Sequence, residues 1–209
     1  MRGWTMGLTV LIGVLAGPTA EADPRETLSV RALAVNQAGV LDATLRDAEL
    51  RATRIFSASG IALLWTNTKP EEPYYESDAQ VRIVIVPDSR VERDRRRLGT
   101  AHADNMAAYA FYNRIADLAA HNGADGAALL GHVIAHEIGH LLLPADSHSS
   151  RGVMRGEWDR TQFDDMAKGL LTFAPKEVQL IRNRVRAMLT GTSKFEPVAG
   201  EPGTRGPHL

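Results

Sequence analysis

The chain contains no cysteine among its 209 residues. That absence removes disulfide staples, thiolate metal ligands and any thiol switch, so stability must come from an ordinary apolar core and from a metal where one is bound. Charge of neither sign dominates. The 24 Lys and Arg are set against 25 Asp and Glu, a formal net charge of -1, which excludes the excess that polyanion binders carry. The densest basic stretch, Arg90–Arg97, holds five arginines but is interrupted by Glu92 and Asp94 and has no aromatic platform beside it. It is expected to be a solvated loop, and no nucleic-acid partner is expected. Long hydrophobic runs are missing too. The apolar stretch Met6–Gly17 falls short of the about 20 residues that a membrane-spanning helix requires, and no other segment reaches that length. There is no internal repeat and no glycine-rich phosphate loop.

What the sequence does carry is concentrated in His136-Glu137-Ile138-Gly139-His140, set inside the largely apolar stretch Ala127–Leu143. That stretch contains no proline, Asp125 is placed to cap its start and Pro144 to stop it, so it is expected to be a helix. Two imidazoles four residues apart then stand on one face, about 5.4 Å apart along the axis, and can share a metal ion. Glu137 projects from nearly the same side, where it can accept the proton of a metal-activated water. Leu130, Val133, Ile134, Ile138, Leu141 and Leu142 make the rest of the helix a buried one. Coordination offsets the desolvation cost of placing imidazoles in such a core.

A catalytic zinc site has three protein ligands and one open position, so the helix pair needs a third donor. The polar loop Pro144–Met154 supplies His148, the favoured candidate, with Asp146 as the alternative oxygen ligand. Glu157, Asp164 and Asp165 would fit an arrangement in which a carboxylate arrives from a following helix. Met154 is expected as apolar filling and as the floor of the site, and Trp158 as a packing anchor for the loop. His102 and His132 read as edge, surface or supporting residues rather than ligands, and His208 is too terminal to count. Tyr109 and Tyr112 read as sheet packing in preference to oxyanion donors.

These residues resemble the metzincin zinc endopeptidases, in particular the matrixin-like branch, and look most like small secreted bacterial zincins. The pattern of that class has the two helix histidines, a helix-ending glycine, a third histidine often followed by serine, and a tight turn containing methionine. His136, Glu137, Gly139 and His140 match directly, His148-Ser149 is similar to the third ligand with its serine, and Gly152-Val153-Met154 to the methionine turn. Leu143 stands where the family places its glycine and Asp146 where it places its third histidine, so the loop reads as expanded by two residues. Leu98-Gly-Thr-Ala-His-Ala103 resembles the family's edge strand, with Gly99 and Thr100 interposed. The resemblance implies an α+β fold, zincin/metzincin-like: a twisted mixed sheet with a backing helix and a metal-binding active-site helix, followed by a small helical C-terminal subdomain. It implies Zn2+ as cofactor, a peptide or protein substrate, and hydrolysis of peptide bonds with Glu137 as general base. A non-peptidase zinc hydrolase and a non-enzymatic zinc-stabilised secreted binding protein are the alternatives.

The amino terminus reads as a secretory signal peptide over residues 1–22, with Ala20-Glu-Ala22 before the cut. A secreted or periplasmic destination follows, with no stable membrane insertion after cleavage. Residues 23–190 are expected to form a single domain and 191–209, rich in Gly and Pro, a loose tail. Strands are expected at Leu28–Val35, Ile61–Thr66, Ala79–Val86 and Ala107–Tyr112, with residues 67–77 an irregular connection. A helix over Val40–Ser59 is expected to cover the sheet with Val40, Leu41, Leu45, Ala48, Leu50, Ala52, Ile55 and Phe56. Two further helices are expected at Gln162–Leu170 and Lys176–Leu189.

Overall fold

A computed structural model describes residues 27–68, 79–89, 92, 94–145 and 147–191. The expected signal segment 1–22, residues 192–209 of the expected tail, residues 69–77 of the expected connection and the alternative ligand Asp146 lie outside the described residues.

Strand β1 (Leu28–Asn36) buries Leu28, Val30, Ala32 and Ala34 in strict alternation, the period that a strand with one face on a core requires. Asn36 then closes the turn: its side chain donates to the Val40 carbonyl at 2.8 Å and accepts the Val40 N–H at 3.0 Å. Helix α1 (Asp42–Ser57) follows, burying Leu45, Ala48, Ala52, Ile55 and Phe56 on one face. Leu41 and Leu50, both expected on the covering side, are exposed. Leu41 precedes the first helical residue, and Leu50 stands about 140° round the helix from Leu45 at 100° per residue.

Strands β2 (Ile61–Thr68), β3 (Gln80–Val86), β4 (Gly99–His102) and β5 (Ala107–Phe111) complete a five-stranded sheet in the order β2-β1-β3-β5-β4. The first three pairings are parallel; β4 joins β5 antiparallel and forms the edge. Tyr112 ends no strand. It opens helix α2 (Tyr112–Asn122), which the sequence pattern does not announce; this helix buries Ile115 and Ala119 and ends at Gly123 in the left-handed conformation.

Helix α3 (Gly126–Leu142) crosses beneath the sheet and packs on α1, β3, β4 and β5. Helices α1 and α3 approach closely at Gly131, where a Cβ would stand 2.5 Å from the Ala48 carbonyl oxygen and 2.6 Å from Arg51 Cβ. Helices α4 (Arg160–Ala167) and α5 (Pro175–Leu189) form the helical carboxy-terminal part. Phe173, between them, meets Phe56 edge-on with ring centroids 4.9 Å apart, joining that part to the main core. The architecture is the expected α+β one: a mixed sheet, a backing helix and a second helix that carries two of three clustered histidines toward its carboxy-terminal end.

Candidate metal centre

The metal face of α3 is a polar exception in a helix that is otherwise buried nearly all round. Asp125 caps it as expected, accepting the Ala127 N–H at 2.9 Å. At the other end Leu143 is extended (φ −105°, ψ 162°), the conformation that a following proline imposes, so Pro144 stops the helix without a glycine. The chain then turns back beneath α3. The Ser149 N–H donates to the Met154 carbonyl at 3.0 Å, the Arg155 N–H to the Gly152 carbonyl at 3.2 Å, and the Val153 N–H to the Thr172 carbonyl at 3.0 Å.

This loop brings His148 to the helix pair. One ring nitrogen from each of His136, His140 and His148 lies within 4.8 Å of the others, and among the described residues no carboxylate joins the cluster. His136 and His140 are half-buried and His148 is exposed. His136 Nδ1 stands 2.8 Å from the Val153 carbonyl, an acceptor only, so Nδ1 carries the proton and Nε2 presents its lone pair to the cluster. His140 Nε2 lies 3.0 Å from that Nε2, near the about 3.3 Å expected between two nitrogens on one tetrahedral zinc. Burial, eased by the Val153 contact and reinforced by His148, pushes His136 down to about 4. Burial, with the two neighbouring imidazoles and Arg97, pushes His140 down to about 3. Both rings are therefore neutral at physiological pH, the form that binds a metal. The donor set fits one metal ion held by three nitrogens.

Glu137 points from the same stretch of α3 and is only 6% exposed. Burial pushes its carboxyl up to about 8, with Arg97 pulling weakly the other way. Its place is made by a glycine on the edge strand. A Cβ on Gly99 would stand 2.6 Å from Glu137 Oε1 and 2.6 Å from the Tyr109 carbonyl oxygen. Gly139 does the same on the opposite side: a Cβ there would collide with Met154 Sδ and come 3.1 Å from Phe173 Cε1. Met154 is fully buried and fills that space under α3.

A cavity of about 1060 Å³ opens on His136, Glu137, His140 and His148. Its other walls include Leu98 to Ala101 at the β4 edge, Trp158, and the arginine-rich segment Asp94–Arg97. Arg95 and Arg96 are exposed as expected, yet this solvated loop is also a wall of the cavity. Its shape is held by Arg114 on α2, a residue that nothing in the local sequence singles out. Buried, Arg114 donates from Nε to Asp88 at 2.6 Å, from Nη1 to the Asp94 and Arg97 carbonyls at 2.8 and 2.9 Å, and from Nη2 to the Glu92 carbonyl at 3.0 Å.

The remaining candidates do not join the histidine cluster. Glu157 lines the cavity but is exposed and pairs with Arg96 at 3.5 Å. Asp164 and Asp165 lie on α4 outside the cluster. His132 is buried rather than on the surface, contacting the Ala128 carbonyl through Nδ1 at 2.7 Å. His102 meets Tyr109 edge-on at 5.7 Å between centroids, and neither it, Tyr109 nor Tyr112 lines the cavity. Trp158 stands edge-on to His136 at 5.8 Å and to His132 at 6.4 Å, so it packs the loop and lines the cavity at once.

No protein-family model and no curated protein sequence matches the chain. Among solved structures it is similar to a zinc-dependent peptidase from Methanocorpusculum labreanum (strain Z), at 12% identity and a TM-score of 0.49, over 72% of this chain and 99% of that one. It is also similar to archaemetzincin from Methanopyrus kandleri, at 12% identity and a TM-score of 0.47, over 76% of this chain and 96% of that one.

Proposed function

We propose that this chain is a zinc-dependent metallopeptidase that cleaves peptide bonds internally. The observation that carries the reading is the convergence on one open cavity of three imidazole nitrogens and the buried Glu137 carboxyl. His136, His140 and His148 would hold the metal; three nitrogen donors with no cysteine suit zinc. When bound, zinc acidifies water and polarises a carbonyl. Glu137 takes the proton of the attacking water and passes it to the departing amine. Edge strand β4, paired among the described strands only with β5, offers backbone groups on which an extended peptide can lie.

The open cavity supports an enzyme over a closed structural zinc site, and His148-Ser149 with Gly152-Val153-Met154 supports the matrixin-like branch within the metzincins. Met154 is the apolar floor of the site, filling the space that Gly139 leaves. Among the described residues no helix is long and apolar enough to cross a membrane. Export with cleavage between Ala22 and Asp23 completes the reading. Mass spectrometry of the mature amino terminus checks it, and a soluble cytoplasmic product that starts at Met1 would contradict it.

The test of peptidase chemistry is digestion of a broad peptide library by the zinc-loaded protein and by a zinc-free control, read by mass spectrometry. Internal cleavage products made only by the zinc-loaded protein are expected. Peptides left intact by a correctly loaded protein would move the reading to another zinc hydrolase or to a zinc-stabilised binding protein.

A further inference from the structure

One wall of the cavity is the segment Asp94–Arg97, an aspartate followed by three consecutive arginines, and Arg114 holds its backbone in place. Arg114 directs its guanidinium at the loop, with one hydrogen bond to Asp88 and the others to the backbone carbonyls of Glu92, Asp94 and Arg97. Such a buried guanidinium fixes a backbone path, and here the path delivers Arg97 two residues before Gly99. Gly99 is the residue against which the Glu137 carboxylate rests. Two residues span at most about 7 Å, so Arg97 stays close to Gly99, and it lines the cavity.

The arginine partners leave this charge available. Arg97 is paired with Glu92 at 3.5 Å, and its side chain is 61% exposed. Glu92 is the less exposed partner, and at 3.5 Å the pair is long and open to solvent on the arginine side, so a carboxylate arriving in the cavity can take the guanidinium from it. Glu92 does not line the cavity, whereas Arg97 does.

We propose that Arg97 anchors an acidic side chain of the substrate, which makes this chain selective for peptides with Asp or Glu close to the bond that is cleaved. The assignment rests on the peptidase reading and names the substrate class of that same site. Arg95 and Arg96, on the outer part of the wall, pair with Asp88 and with Asp94 and Glu157, and they add to the attraction at longer range.

The experiment uses zinc-loaded Glu137→Gln protein and a set of fluorescent alanine-glycine octapeptides in which a single Asp, or a single Asn, is moved through every position. Binding is read by anisotropy, and the same peptides are digested by the parent. Asp at one position is expected to bind about three- to five-fold tighter than Asn, the worth of one partly screened ion pair. That preference should drop below about two-fold in the Arg97→Gln background, with zinc content and melting temperature unchanged, and persist in an Arg160→Gln control of equal net charge. Equal binding of Asp and Asn peptides at all positions, or a preference that survives Arg97→Gln, overturns the assignment while leaving the peptidase reading standing. Failure of every peptide to bind and to be cleaved removes both.

Discussion

Two glycines beside the candidate metal centre are there for space. Gly139 lets Met154 lie against α3, and Gly99 lets the Glu137 carboxylate lie against the edge strand. In the sequence Gly139 is visible as part of the helix motif, whereas Gly99 reads only as an interruption of an edge-strand pattern. The role of Gly99 depends on a neighbour 38 positions later in the chain, which no local pattern records. Gly99→Ala is expected to lower peptide turnover more than tenfold and to cost about 1–3 kcal/mol of stability, because the added methyl must displace a carboxylate and a backbone carbonyl. Part of that stability cost should vanish in a Glu137→Ala background, a coupling of about 0.5 kcal/mol or more measured by a double-mutant denaturation cycle. Strict additivity would show that Glu137 does not occupy the space that Gly99 leaves.

At the level of elements, α3 is legible end to end because its signals are local: an Asp cap, an apolar surround and a proline stop. Helix α2 is not, since its apolar content is thin and its importance comes from Arg114, whose partners lie in another segment. The placement of His148 stays open in the sequence for the same reason, as a loop's return path is a tertiary property. His132, one turn before the metal pair, reads as a surface or supporting residue, yet α3 buries it. Burial holds its pKa below the ordinary 6.5, against the opposing pull of the Ala128 carbonyl. A histidine with a lowered folded pKa binds fewer protons folded than unfolded, so stability is complete above about pH 6.5 and falls as the pH drops below it. His132→Phe keeps the ring against Trp158 and removes the titration; its melting temperature should fall less steeply than the parent's between about pH 6.5 and 5. Parallel slopes would assign the acid sensitivity to other groups.

For the whole molecule, a chain without cysteine draws its cohesion from one sheet and two crossing helices, with the carboxy-terminal helices joined through Phe173. The histidine cluster joins α3 to His148 and, through Val153 and Thr172, to the segment leading into α5. Zinc should therefore stabilise the entire fold: free zinc at about 100-fold its dissociation constant contributes about 2.7 kcal/mol. Chelation is expected to lower the melting temperature, and His148→Ala to abolish both tight zinc binding and that difference. Tight stoichiometric zinc retained by His148→Ala, but lost on replacing Asp146, would transfer the third ligand position to the aspartate. The most direct test of the central claim is to measure zinc content and peptide turnover on the same preparation of Glu137→Gln. This variant keeps the size and the packing against Gly99 but cannot accept a proton. One zinc per chain with turnover reduced by about two orders of magnitude or more is the expected result; cleavage equal to that of the parent would contradict the assignment of Glu137 as the base.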